Sequence, residues 1–176
     1  MRIAAIILCA ALTACVAATP SGTTTTLTAA NAATSLLAGQ RLNMTVSTQP
    51  AREGMDPVVT LTLTQADGSS LRFQQANHTP HDVMSQASGG PLAQVMGFFG
   101  DEAPTLYRRI EGGSGAPFLC APDGPVALGV HEGDSGEISM VALKQTFTYE
   151  TLSDGTESAL PMSPDQVCAR LSFQQG

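Results

Sequence analysis

Residues 58–75 (VVTLTLTQADGSSLRFQQ) constrain the fold of this chain more than any other stretch. Val59, Leu61 and Leu63 alternate with Thr60, Thr62 and Thr64, and a period of two puts the apolar set on one face of a strand and the threonines on the other. Ala66-Asp67-Gly68-Ser69 carries an Asp-Gly turn signal, and residues 71–75 run back. Two such runs around a D-G turn predict a β-hairpin. A lone hairpin is marginal in water, so other strands must cover its apolar face.

The rest of the chain supplies them. Residues 41–49 (RLNMTVSTQ) place Leu42, Met44 and Val46 on one side of a strand. Residues 105–111 (TLYRRIE) read as a strand, followed by a Gly112-Gly113-Ser114-Gly115 loop. A short apolar run, 126–132 (VALGVHE), precedes the turn Gly133-Asp134-Ser135-Gly136. Residues 137–151 supply one long strand or two, Ser153-Asp154-Gly155-Thr156 turns again, and 167–174 (VCARLSFQ) alternates to close the domain. Helix is expected over 28–37 (TAANAATSLL), with Thr28 as N-cap and Gly39 as stop. Residues 92–99 (LAQVMGFF) fit a short helix or a buried strand, and Pro164-Asp165-Gln166 could begin a helical turn. The segments LRFQQ (71–75) and LSFQQ (171–175) are alike, but five residues do not establish a repeat. The fold class that follows is mainly β: a single antiparallel barrel or sandwich with one or two short helices and one disulfide.

Charge narrows the partners. Fifteen acids against eight Lys and Arg give a net charge of −7, and Lys144 is the sole lysine. Such a chain is a poor partner for nucleic acid or anionic lipid headgroups. With six Phe, two Tyr and no Trp, the core is expected to be small and aliphatic, and sites built on aromatic rings are disfavoured.

The amino terminus carries an address. Met1-Arg2 is followed by nine apolar residues and then Leu12-Thr13-Ala14-Cys15. The run is too short for a membrane span, which takes about 20 residues, and reads as a secretory signal peptide. The tetrapeptide resembles the lipobox of bacterial lipoproteins. That resemblance implies cleavage before Cys15 and lipidation of its sulfur, so that the chain meets the membrane through this lipid. Val16, in place of an aspartate after the cysteine, leans toward the periplasmic face of the outer membrane. The expected organisation is a leader at 1–14, a lipidated flexible tether at 15–26 and a β-rich domain at 27–176. Removing 14 of the 176 residues leaves 162, the size of one domain.

Cys9 leaves with the leader and Cys15 takes lipid, so Cys120 and Cys168 remain in an oxidising compartment. A disulfide between them is expected, closing a loop of about 49 residues and contributing about 4 kcal/mol by loop entropy.

Candidate chemistry is sparse. Gly133-Asp134-Ser135-Gly136 matches a protease nucleophile tetrapeptide, but none of His78, His81 and His131 sits in a matching histidine motif, and D-S-G is a common turn. Gly112–Ala116 lacks the final glycine of a nucleophile elbow. His78 and His81, with Asp82, are ligand types suited to zinc or copper but need a third ligand from elsewhere. Asp101 and Glu102 point to opposite faces of an extended segment, which is wrong for paired acid–base work. Arg108 and Arg109 alternate likewise, with one of them expected to pair with a neighbouring acid. No cofactor is called for.

The order Ala87-Ser88-Gly89, Gly100-Asp101-Glu102-Ala103, Tyr107-Arg108-Arg109 and Cys120 resembles membrane-bound inhibitors of C-type lysozyme. The resemblance implies a small lipid-anchored β-barrel that contacts lysozyme through Ser88, Gly89, Asp101 and Glu102, with Ser88 facing the enzyme's cleft. Phe98-Phe99 stands where that family carries an aromatic and a lysine. The expected function is a non-enzymatic, lipid-anchored envelope protein that binds or assembles with a protein partner. The alternatives are an inhibitor of C-type lysozyme and a periplasmic metal-binding protein.

Overall fold

The computed structural model describes residues 21–29, 41–51, 55–76, 91–96 and 104–175. Ten strands lie among them: β1 (Ser21–Ala29), β2 (Arg41–Gln49), β3 (Val58–Gln65), β4 (Ser70–Gln75), β5 (Thr105–Ser114), β6 (Ala127–Glu132), β7 (Glu137–Leu143), β8 (Tyr149–Thr151), β9 (Glu157–Ala159) and β10 (Val167–Gln175). Helix α1 spans Pro91–Met96, and a 3-10 turn spans Pro164–Gln166. Eight strands pair antiparallel in the closed order β1-β10-β7-β6-β5-β4-β3-β2, while β8 and β9 form a separate hairpin. Every barrel strand except the β7–β10 pair and the β10–β1 closure thus neighbours the next in sequence, the pattern that short turns favour.

The predicted hairpin is β3–β4. Gly68, at φ 87°, takes the left-handed position of the turn, and Asp67 Oδ1 accepts from the Ser69 amide at 2.8 Å. Register sets the inward face: Leu61 lies opposite Phe73, Leu63 opposite Leu71, and Met44 opposite Leu63. Leu42, Leu61, Leu63, Leu71, Phe73, Tyr107, Leu128, Ile138, Met140, Leu171 and Phe173 fill the barrel as one buried cluster. No polar or charged residue is buried among the described residues. Each such large apolar side chain contributes roughly 1.5–3 kcal/mol on leaving water.

A second cluster lies on the other face of the β5–β7 wall. Leu106, Val141 and Leu143 point out of the barrel and pack with Leu92 of α1, with Phe147, Tyr149 and Met162 beside them. That is why β7 reads as a continuous apolar run, for both of its faces are covered. Pro91 begins α1 at a position where its missing N–H costs nothing. Leu92 and Val95, three apart, share the inward side of the helix, and Arg170 of β10 donates to the Val95 carbonyl.

Several expectations are refined. The segment 137–151 is two strands, and 92–99 resolves as helix over its first part. Pro164–Gln166 is the helical turn, capped by Ser163, whose amide donates to Gln166 Oε1 at 2.8 Å. Two expectations are overturned. Residues 21–26, assigned to the flexible tether, belong to β1, which pairs along β2 from Ser21↔Thr48 to Thr28↔Arg41. A run of β-branched threonines suits a pleated strand, and closing the ring satisfies two strand edges at once. Thr28, proposed as a helix cap, lies in that same strand; the remainder of the expected helix at 30–37 lies outside the described residues.

Candidate functional site

The sheet is irregular at one place, and a groove opens there. Ser70 pairs with Ser114, yet Arg72 pairs with Ile110, so β5 carries two more residues than β4 between these rungs. The extra residues lie in Glu111-Gly112-Gly113, with Gly112 at φ 96°. A bulge of this kind bends a strand and re-aims its side chains. Ser114 fixes the far end, donating to the Gly68 carbonyl at 2.7 Å and lying 3.0 Å from Ser70 Oγ. Gly112-Gly113-Ser114, expected as loop, is therefore bulged strand.

On its other side β5 parts from β6. The ladder covers only Thr105 to Arg108, and one further bond runs from the Arg109 amide to the Val126 carbonyl at 2.9 Å. The chain between β5 and β6 then folds back as a loop. Gly124, at φ 80°, donates to the Cys120 carbonyl at 2.9 Å, and Val126 donates to Leu143 at 2.8 Å. The expected disulfide joins Cys120 to Cys168 across a Cα–Cα distance of 5.4 Å and ties this loop to β10.

Bulge, loop and the residue after β7 enclose a groove of about 550 Å³ beside the β4–β5 irregularity, lined from both faces of the sheet, since Arg109 lies opposite Phe73 and Arg72 opposite Ile110. Arg72, Arg109 and Lys144 line it, with Glu111 and Asp123 as the acids and Ile110, Pro125 and Val126 among the apolar residues. Three of the eight basic residues of a chain with net charge −7 thus share one groove. Arg109 Nη1 donates to the Asp123 carbonyl at 2.5 Å, a backbone partner. A smaller cleft of about 370 Å³, beside the 3-10 turn, is lined by Phe147, Leu160, Met162 and Asp165 and offers a single ionisable group.

Two groups outside the groove have shifted acidities. Burial pushes the Tyr107 phenol above its ordinary value. Hydrogen bonds from the Thr156 hydroxyl and amide, at 2.6 and 2.9 Å, hold exposed Asp154 of the β8–β9 turn below the usual carboxylate range.

Cys15, the histidines His78 and His81, and the proposed partner-binding residues Ser88, Gly89, Asp101 and Glu102 lie outside the described residues. Among the described residues no three of His, Cys, Asp and Glu gather as a metal site. Gly133-Asp134-Ser135-Gly136 is the β6–β7 turn, closed by the Gly133 amide on the Glu137 carbonyl at 2.8 Å, with Asp134 and Ser135 exposed. His131 stands opposite Ser139 on β6, before that turn.

The groove residues were not singled out from sequence, apart from Arg109 as half of an alternating pair. Signals existed: a lone lysine directly after an apolar strand, an Asp-Gly after the loop cysteine, and a Gly-Gly pair ending a clear strand. Paired glycines in a strand mark a bulge, but nothing local says which three cations converge. Compared with known protein families, curated proteins and solved structures, the chain matches none.

Proposed function

We propose that this chain is a non-enzymatic, lipid-anchored protein of the cell envelope whose β-barrel meets its ligand or partner in this groove and not in its lumen. The observation that supports this reading is the filled interior. Phe73, Phe173, Leu63 and Leu128 occupy the lumen, so the barrel is a packed core and not a carrier cavity. Polar groups that can recognise another molecule converge instead on the groove of Arg72, Arg109 and Lys144. The anchor is the sulfur of Cys15, joined to β1 by a short link because the strand already begins at Ser21.

The test is metabolic labelling with palmitate of cells producing the chain and its Cys15→Ser variant. The reading requires label in the membrane fraction for the former and none for the latter. An unlabelled chain, or one processed downstream of Cys15, contradicts it.

Inhibition of C-type lysozyme is a second reading. It rests on the order of Ala87-Ser88-Gly89, Gly100-Asp101-Glu102-Ala103, Tyr107-Arg108-Arg109 and Cys120 in the sequence. Assays at micromolar concentrations of the mature chain decide it. Undiminished lysozyme activity removes it, and inhibition lost on Ser88→Ala supports it.

A further inference from the structure

We propose that the groove beside the β4–β5 bulge binds a phosphate–ammonium zwitterion, the chemistry of phosphoethanolamine, whether free or as a lipid headgroup. This rests on reading the chain as a binding protein, but not on its anchor.

Two of the groove's arginines lie over glycines. A Cβ placed on Gly112 would collide with Arg72 Nη1, and one on Gly124 with Arg109 Nη1. Both glycines have positive φ, at 96° and 80°, so each guanidinium lies over a backbone position that favours having no side chain. Arg109, tied to the Asp123 carbonyl, loses little freedom when it binds an anion. Among the described residues no carboxylate pairs with Arg72 or Lys144, and Arg109 spends one N–H on the Asp123 carbonyl. The rest of its five donors remain for a ligand.

The groove is not uniformly cationic, and that decides the class. A simple anion would use Arg72, Arg109 and Lys144 but would be repelled by Glu111 and Asp123. A ligand carrying phosphate and a primary ammonium uses both sets: the phosphate takes charge-assisted bonds from the arginines and lysine, and the ammonium donates to the carboxylates. A quaternary ammonium has no N–H to donate and is recognised through aromatic faces. Among the described residues no Phe, Tyr or Trp lines the groove, which favours the primary amine over choline. The absence of rings likewise disfavours stacked bases. About 550 Å³ lies within the usual range for small-ligand sites.

The test is calorimetric titration of the full mature chain in detergent micelles. Phosphoethanolamine, phosphocholine, inorganic phosphate and ethanolamine are compared, and phosphatidylethanolamine is then added to the micelles against phosphatidylcholine. Phosphoethanolamine should bind at least several-fold more tightly than the other three solutes, or phosphatidylethanolamine should bind in preference to phosphatidylcholine. The first outcome identifies a free ligand and the second a lipid-borne one. Arg72→Gln and Lys144→Gln should each weaken binding about tenfold. Neither side chain is hydrogen-bonded to the described residues, so both variants should melt like the parent. Absence of binding in every arm, equal binding of ethanolamine and choline forms, or indifference to both substitutions overturns the proposal. Lipid labelling at Cys15 is independent of these results, so the anchor and the ligand fail separately.

Discussion

Arg109 lies across Gly124, its Nη1 bonded to the carbonyl of Asp123 at 2.5 Å. The arginine on the strand and the glycine in the loop define each other: one needs the space that the other leaves. Gly124 is therefore expected to tolerate alanine much less than Gly68 does. Gly68 has φ 87° with open space around its missing Cβ, so Gly68→Ala should cost about 1 kcal/mol of left-handed strain alone. Gly124→Ala adds displacement of Arg109 and should cost about 2–3 kcal/mol. Denaturant unfolding of the two variants side by side checks the difference.

Cys120–Cys168 spans 48 residues of sequence and fastens the groove loop to β10. Loop entropy predicts that Cys168→Ser, or reduction of the native chain, lowers stability by about 4 kcal/mol. Melting with and without reductant should show a fall of this order in the parent and no response in the variant.

Tyr107 is buried inside the barrel, and its phenol titrates above the ordinary 10.0. Above about pH 10 the unfolded chain loses this proton while the folded chain keeps it. Stability contributed by the neutral ring is full below that pH and declines as pH climbs toward the raised value. Tyr107→Phe should remove this part of the alkaline decline while leaving neutral-pH stability near the parent's. Urea unfolding at about pH 8 and about pH 11 measures it.

Arg170 donates to the carbonyl of Val95 and so holds the end of α1 against β10. A helix of six residues is too short to persist unaided. Arg170→Ala should speed amide exchange in residues 92–96 and leave the β3–β4 strands protected, as hydrogen-exchange mass spectrometry would show.

What could be read from the chain alone was the part governed by local periodicity. The alternation of Val59, Leu61 and Leu63 with threonines, and the D-G turn after them, determine β3–β4 without help from the rest of the fold. The Cys120–Cys168 bridge followed from compartment and count. Ring closure was not legible, because Thr23–Thr26 look like a polar tether until β2 pairs along them and β10 meets the same strand at Leu27–Ala29. The groove was hidden for a similar reason. Arg72, Arg109 and Lys144 lie on three different segments, and only the bulge at Gly112-Gly113 and the returning loop at Gly124 bring them to one place.

The barrel is proposed to meet its ligand in the groove beside the β4–β5 bulge and not in its lumen. Amide chemical-shift mapping of the isotope-labelled chain, titrated with phosphoethanolamine, is the decisive measurement. Shifts gathered at Arg72, Glu111–Gly113, Asp123–Val126 and Lys144 are the predicted result. Shifts at lumen positions such as Leu63, Leu128 and Phe173, or no shifts at saturating ligand, would contradict it.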